Sequence, residues 1–332
     1  MHDEILNFFN IKPQKKLNIN YSGSYLSQLV SELYREIGNE FIEDKDDFGV
    51  IVQGDTTSAF CAANIAFLFK KPIFHVEAGL RTHDIYSPYP EEFNRKAISL
   101  ISDLNFAPTL KSFENLKKEL INEDKNLLTG NTIVDALLTT QKILYNNETK
   151  FVKLDNSLNF EFIKKKDYVL STFHRRENFG NNLTHFCEAI KKFTLKTNIP
   201  VIIPVHKNPN IFLPMNNNLG NIKNVFLIDT LDYPSMVFLM MNCLFLVSDS
   251  GGIQEEAPSV GKRVLILRET TERPEAIESG WGELVTPTKH IIYNKMIKEL
   301  ESKITAKKLF NPFGKGNTSK IITKHLESFF NV

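Results

Sequence analysis

The sequence predicts an α/β fold with two doubly wound parallel sheets. Short apolar runs bounded by turn residues alternate with segments of helical period, and a polar segment at residues 146–166 divides them into two series. The length of 332 residues, 42% of them hydrophobic, suffices for two domains. Because ligands of such folds bind at the carboxyl ends of the strands, functional residues are expected there.

The first series follows a predicted helix at residues 25–41. Its strands are predicted at 48–53, 72–76, 104–107 and 126–129, and its helices at 57–69, 90–101, 111–120 and about 131–144. Residues 1–145 therefore form the predicted first domain. Residues 146–166, with paired asparagines and three consecutive lysines, form the predicted linker.

The second series, at residues 167–316, forms the predicted second domain. Its strands are predicted at 168–173, 200–205, 225–228, 244–247, 264–267 and near 284, and its helices at 183–196, 209–219 and from Pro274. A break at residues 311–316 separates a last helix at 317–332.

The stretch from Leu244 to Leu267 predicts a βαβ unit with a glycine-rich turn, Ser250-Gly251-Gly252. Glycines let the backbone approach a ligand, and a helix N-terminus favours phosphate. Glu256, one turn further along the helix, is placed to accept hydrogen bonds from sugar hydroxyls. The alternative is an ordinary glycine-rich turn followed by a solvated glutamate.

Composition excludes several classes of protein. A net charge of +1 gives no sign of nucleic acid or a membrane surface as partner. The longest apolar stretch, residues 236–247, is too short to span a bilayer, and the first residues lack the features of a signal peptide. The three cysteines are typical of reduced core residues in a cytoplasmic protein, and no spacing indicates a metal or another cofactor.

The ends of five predicted strands carry acids, histidines or arginines. One such residue is usually a helix cap or a turn former, but five favour a polar cleft between the domains. These residues are Asp55, His75, Glu77, His174, Arg175, Arg176, His206, Asp249 and Ser250.

Two helix starts add further charge. Glu91 and Arg95 are either a surface pair four residues apart or a carboxylate held in the cleft by an arginine. Arg273, just before Pro274, either binds phosphate or satisfies Glu255 or Glu269. Together these side chains suit a nucleotide-sugar reaction, in which arginine and histidine hold a diphosphate and carboxylates transfer protons.

Nine motifs, in order along the chain, resemble those of the bacterial non-hydrolysing UDP-N-acetylglucosamine 2-epimerases. They are GDTTSAF, HVEAGLRT, YSPYPEEFNR, TGNTIVDAL, HRRENFG, PVHKNPN, SDSGGIQEEAPSVGK, RETTERPEA and NPFGKG. The resemblance implies two Rossmann-like domains in the glycosyltransferase-B architecture, with the site in the interdomain cleft and the last helix crossing back to the first domain. It also implies a homodimer and interconversion of UDP-GlcNAc and UDP-ManNAc.

The mechanism that the resemblance implies is elimination of UDP to give 2-acetamidoglucal, followed by re-addition. The implied catalytic residues are Asp55, Glu77, Glu91, Arg95 and His174. The implied UDP-binding residues are Ser250, Gly251, Gly252, Glu256 and Arg273. Arg176 and His206 fall in motifs linked to a second, allosteric UDP-GlcNAc.

The chain departs from the family pattern at its start. Family members open with a strand and a Gly-Thr-Arg-Pro-Glu loop, whereas Met1 corresponds to a position after that unit. The alternatives for this departure are a start assigned too late, a gene fragment or an inactive product. For the activity, the alternatives are a hydrolysing relative that releases ManNAc and UDP, or an inactive remnant that binds UDP-sugar.

Overall fold

The computed structural model describes residues 2–19, 21, 23, 25–43, 48–119, 122–175, 178–205, 207–302 and 310–331. It divides into two units. One consists of Pro13–Asp135 and Phe313–Val332 and holds a four-stranded sheet; the other consists of Met1–Lys12 and Ala136–Pro312 and holds a six-stranded sheet. Both sheets are parallel and pack against helices, which confirms the predicted α/β class.

The four-stranded unit has the strand order β1-β2-β3-β4. Its strands are β1 (Val50–Gln53), β2 (Ile73–Val76), β3 (Leu104–Ala107) and β4 (Asn126–Leu128). Its helices are α2 (Leu26–Glu43), α3 (Thr57–Leu68), α4 (Glu91–Ile101), α5 (Leu110–Lys118) and α15 (Thr318–Phe330).

The core of this unit lies on both faces of β2, whose four residues are all buried. Alanines along α3 let that helix lie close to Val52 and Ile73 on one face. On the other face, Ile322 of α15 packs with Phe74 and Phe106. A strand covered on both sides in this way is an apolar run in sequence, which is why these strands were predictable.

The six-stranded unit has the order β10-β9-β8-β5-β6-β7. Its strands are β5 (Val169–Thr172), β6 (Val201–Val205), β7 (Val225–Asp229), β8 (Leu246–Ser248), β9 (Val264–Ile266) and β10 (Gly282–Leu284). Its helices are α1 (His2–Phe8), α7 (Glu148–Phe151), α8 (Phe160–Lys164), α9 (Asn181–Thr197), α10 (Pro209–Leu219), α11 (Tyr233–Asn242), α12 (Gly251–Glu256), α13 (Pro274–Glu278) and α14 (Lys289–Glu301), and α6 (Thr132–Leu144) spans the boundary with the other unit.

The chain order changes direction between β5 and β8, which are neighbours in this sheet. In open α/β sheets such a switch point forms a crevice at the carboxyl ends of the two strands. His174 follows β5 and Ser250 follows β8, so the topology brings these two predicted residues to one crevice.

The segment predicted as a linker is folded. It contains α7 and α8, and its Val152, Leu158 and Ile163 are buried in a cluster with Phe238 of α11. Residues 1–12 also belong to this unit, since Phe8 packs edge-on against Phe151. The three cysteines are free and buried, and burial raises the pKa of each thiol, that of Cys61 to about 11.

Candidate active site

In the four-stranded unit, the ends of β1 and β2 place two predicted acids side by side. Gln53 lies opposite Val76 in the parallel pair, so Asp55 and Glu77 leave the sheet at the same edge. Glu77 has a left-handed backbone with φ 66°, and a Cβ on Gly54 would lie 3.8 Å from its Oε2. Strained non-glycine residues of this kind cluster at functional sites. The structure thus brings Asp55 and Glu77 together.

His75 supports this edge from inside the protein. It is fully buried; its Nε2 lies 2.9 Å from the Gly54 carbonyl oxygen and its Nδ1 lies 3.3 Å from Ser99 Oγ. Burial lowers the pKa of His75 to about 4, outweighing the opposing effect of the Gly54 bond. His75 is therefore neutral at pH 7, and it holds the turn that precedes Asp55.

Arg95 lies on the buried face of α4 and pairs with Asp55. Its Nε and Nη2 donate to Asp55 Oδ2 at 3.1 and 2.5 Å, and its Nη1 donates to Glu92 Oε2 at 3.0 Å. The predicted pairing of Arg95 with Glu91 is wrong. Glu92 shares the buried face of the helix with Arg95, whereas Glu91 is half-buried and forms no ion pair with any described residue.

Glu92 is a buried acid of the candidate site that the sequence analysis missed. It is fully buried, and besides Arg95 it accepts hydrogen bonds from the backbone N–H groups of Thr82 and His83, at 3.1 and 3.2 Å. It therefore fixes both the loop before α4 and the arginine that holds Asp55. The helical period that places residues 92 and 95 on one face was the available signal.

In the six-stranded unit, Gly251 begins α12 where two guanidinium groups approach the backbone. A Cβ on Gly251 would lie 2.8 Å from Arg273 Nη1 and 3.4 Å from Arg175 Nη2. Gly252 faces open space, with Ser250 Oγ at 4.0 Å from a Cβ placed there. Paired arginines beside a glycine-rich turn suit a diphosphate, because guanidinium groups bind phosphate oxygens with two donors each.

Arg273 is held by acids on its other side. Its Nε donates to Glu255 Oε1, and its Nη1 lies 3.5 Å from Glu272 Oε2. Burial raises the pKa of Glu272, but hydrogen bonds from Arg268 and the charges of both arginines outweigh it and lower the value to about 2. Of the alternatives for Arg273, pairing with Glu255 is observed, and it holds the guanidinium beside Gly251.

Glu256 is buried, so the alternative of a solvated glutamate is wrong. Burial raises the pKa of Glu256 to about 7; the adjacent Tyr233 hydroxyl opposes this shift and the Glu255 charge adds to it. Burial also raises the pKa of Tyr233. Ligand hydroxyls that donate to the Glu256 carboxylate would offset the loss of hydration.

His174 follows β5, which is the neighbour of β8 at the switch point. Its side chain is 49% exposed, and its Nδ1 lies 3.3 Å from Oδ1 of Asp249, whose side chain is fully buried. Arg176 and His206, the residues predicted to bind a second UDP-GlcNAc, lie outside the described residues. Among the described residues, no group of three or more His, Cys, Asp or Glu side chains is arranged to hold a metal ion.

Comparisons with known proteins identify the family. The family described as UDP-N-acetylglucosamine 2-epimerase matches residues 1–327. A UDP-N-acetylglucosamine 2-epimerase of Campylobacter jejuni is 42% identical over 97% of this chain and 85% of its own length. The chain belongs to the UDP-N-acetylglucosamine 2-epimerase family.

Solved structures of this epimerase family agree. The UDP-GlcNAc 2-epimerase from Neisseria meningitidis, bound to UDP-GlcNAc, has a TM-score of 0.89 at 39% identity and covers 98% of this chain and 88% of its own. The enzyme from Methanocaldococcus jannaschii, in complex with UDP-GlcNAc and UDP, has a TM-score of 0.81 at 32% identity over 98% and 88% of the two chains. The predicted pair of Rossmann-like domains of the glycosyltransferase-B type is confirmed.

Within the part of the chain that the structure describes, no helix is both long enough and apolar enough to cross a membrane.

Proposed function

We propose that this protein interconverts UDP-GlcNAc and UDP-ManNAc by epimerisation at C2 without net hydrolysis. Family membership supports the substrate, since relatives of known structure bind UDP-GlcNAc and UDP. The observation that carries the proposal is the turn at Gly251, where Arg175 and Arg273 converge near the buried Glu256. Phosphate and ribose hydroxyls are the groups that these side chains bind best.

The proposed reaction starts with transfer of the C2 proton to a carboxylate. As the C2–H bond breaks, a C1=C2 double bond forms, and the C1–O electron pair leaves with UDP to give 2-acetamidoglucal. A proton then adds to the opposite face of C2 and the UDP oxygen bonds C1 again. Two faces require two acid–base groups, and Asp55, Glu77 and Glu91 are the candidates, with Arg95 fixing Asp55.

The six-stranded unit is proposed to hold UDP through both stages. Gly251 and Gly252 with Ser250 would admit the phosphates, and Arg273 with His174 would stabilise the charge that develops on the leaving diphosphate. Glu256 would accept hydrogen bonds from the ribose hydroxyls. The proposal also includes a cytoplasmic homodimer and a second, allosteric UDP-GlcNAc bound through Arg176 and His206.

Product analysis tests the proposal. The protein is incubated with UDP-GlcNAc and followed by proton and phosphorus NMR, with Glu77→Gln as control. The expected result is that UDP-ManNAc forms while the total amount of UDP-sugar stays constant, and that the control forms it at least about 10²-fold more slowly. Free ManNAc and UDP appearing in equal amounts would instead show a hydrolysing epimerase, and UDP binding without turnover would show a binding protein.

A further inference from the structure

Asp249 is a fully buried carboxylate at the switch point, and the reaction above gives it no role. It joins the segment after β5 to the end of β8. The backbone N–H of His174 donates to both of its oxygens, at 3.2 and 3.0 Å. The backbone N–H of Arg175 and the amide of Asn178 donate to Oδ2, at 2.8 and 3.2 Å.

These donors divide unequally between the two oxygens. Oδ2 accepts three hydrogen bonds, whereas Oδ1 shares one of them and faces the imidazole, with His174 Nδ1 at 3.3 Å. No lysine or arginine among the described residues forms an ion pair with Asp249. The imidazole is therefore the one described side chain that can place a positive charge against this carboxylate.

A carboxylate has no proton to give, so it sets which imidazole nitrogen carries one. Since Nδ1 lies 3.3 Å from Oδ1, a proton on Nδ1 would face the carboxylate, and the half-exposed ring presents Nε2 on its other side. In the doubly protonated ring both nitrogens are donors, so that Nδ1–H can face the carboxylate while Nε2–H donates to phosphate oxygens.

We propose that Asp249 is a positioning residue that holds His174 with Nδ1–H toward the buried carboxylate and Nε2 toward the diphosphate. The inference rests on the proposed function for the identity of the ligand. The guanidinium groups of Arg175 and Arg273, which lie beside Gly251 at the same end of the sheet, are unchanged in the variants below.

The first test is the tautomer of His174, read from the ¹⁵N shifts of its ring nitrogens at a pH where it is neutral. The wild-type protein should carry the proton on Nδ1. In Asp249→Asn the amide oxygen can replace Oδ2, but the amide N–H₂ faces the ring, so the proton should move to Nε2. A wild-type ring protonated mainly on Nε2 overturns the proposal, even if the variant does not fold.

The second test is UDP affinity, measured by calorimetry in a double-mutant cycle. Asp249→Asn should weaken binding about tenfold in the wild-type background but less than about twofold in His174→Ala, because the carboxylate acts through the ring. Asn178→Ala, which removes the hydrogen bonds to Asp249 Oδ2 and to the Leu267 carbonyl but leaves the ring and the carboxylate in place, should cost less than about threefold. An equal loss from Asp249→Asn in both backgrounds would show a merely structural role.

Neither test depends on turnover. If the protein binds UDP and shows the expected tautomer but forms no UDP-ManNAc, the proposed reaction fails and the role of Asp249 stands.

Discussion

The charged side chains of the two candidate sites differ in how they are paired inside the protein. In the four-stranded unit, Arg95 is enclosed by Asp55 and Glu92, so the charges satisfy one another inside the protein. In the six-stranded unit, Glu256 is buried without an ion pair to any described residue, and its pKa is raised to about 7. The first arrangement pairs its own charges, whereas in the proposed function the second is completed by the ribose hydroxyls of the ligand. The contrast therefore divides the proposed roles by unit, with proton transfer assigned to acids of the four-stranded unit and nucleotide binding to the six-stranded unit.

The largest expected effect is on turnover alone. Replacing Glu77 by Gln or Asp55 by Asn should slow epimerisation about 10²- to 10⁴-fold, the usual cost of losing an acid–base group. The UDP Kd should change less than about threefold, because the proposed UDP site lies in the other unit. Initial rates and calorimetry measure the two quantities. Glu114→Gln, at an exposed acid on α5, is the control, and a parallel loss of UDP affinity would contradict the division of roles.

Removing one charge from the cluster of Asp55, Arg95 and Glu92 should reduce the stability of the protein. Glu92→Gln leaves Arg95 paired with Asp55 but weakens the hydrogen bonds that Glu92 accepts from Arg95 and from two backbone N–H groups, and the free energy of unfolding should fall by about 2 kcal/mol. Urea unfolding of the variant measures the change, with Glu114→Gln again as control. A change below about 0.5 kcal/mol would mean that Glu92 does not hold this cluster.

At the diphosphate turn, Gly251→Ala should weaken UDP binding about tenfold or more, because the added Cβ forces Arg273 off its position and a phosphate contact is lost. Calorimetric titration with UDP checks this expectation. Unchanged affinity would show that Arg273 does not contact the nucleotide.

The raised pKa of Glu256 predicts a pH-dependent affinity. Below pH 7 the carboxyl of the free protein is protonated and must lose its proton to accept ribose hydroxyls, so UDP binding should weaken about tenfold from pH 8 to pH 6. Glu256→Gln should be weaker at pH 8 and retain only the dependence due to UDP itself. Identical pH profiles for variant and wild type would remove Glu256 from the binding site.

The smallest effect concerns a glycine remote from both clusters. Gly38 lies within α2, and a Cβ there would meet nothing within 4 Å. Gly38→Ala should raise the free energy of unfolding by about 0.5–1 kcal/mol through helix propensity, without changing UDP affinity. Thermal unfolding measures the gain, and a loss of stability would show an unseen constraint on α2.

The sequence predicted the elements whose pattern is local. Apolar runs located β3 and α10 to the residue, since buried parallel strands and capped helices have distinct signals. It predicted the strand that ends the run from Met236 to Val247 but missed α11 before it, because α11 is largely buried and this run has no polar face. It also interpreted polar residues 146–166 as a linker, although a few apolar side chains there suffice to pack α8.

The sequence predicted those candidate site residues that belong to a recognisable motif. It did not predict which residues distant in sequence are in contact with them. Asp249 meets His174 across 75 positions, which no spacing rule reveals. Glu91 and Glu92 are adjacent acids, and only the face of α4 that is buried shows which one holds Arg95.

The central claim is that a proton is transferred at C2 while UDP stays bound to the protein. The most direct test of this claim is turnover of UDP-GlcNAc in D₂O. Mass spectrometry and proton NMR of the products measure deuterium at C2. The account predicts one deuterium at C2 in every molecule of UDP-ManNAc formed. UDP-ManNAc that retains the original proton would contradict it.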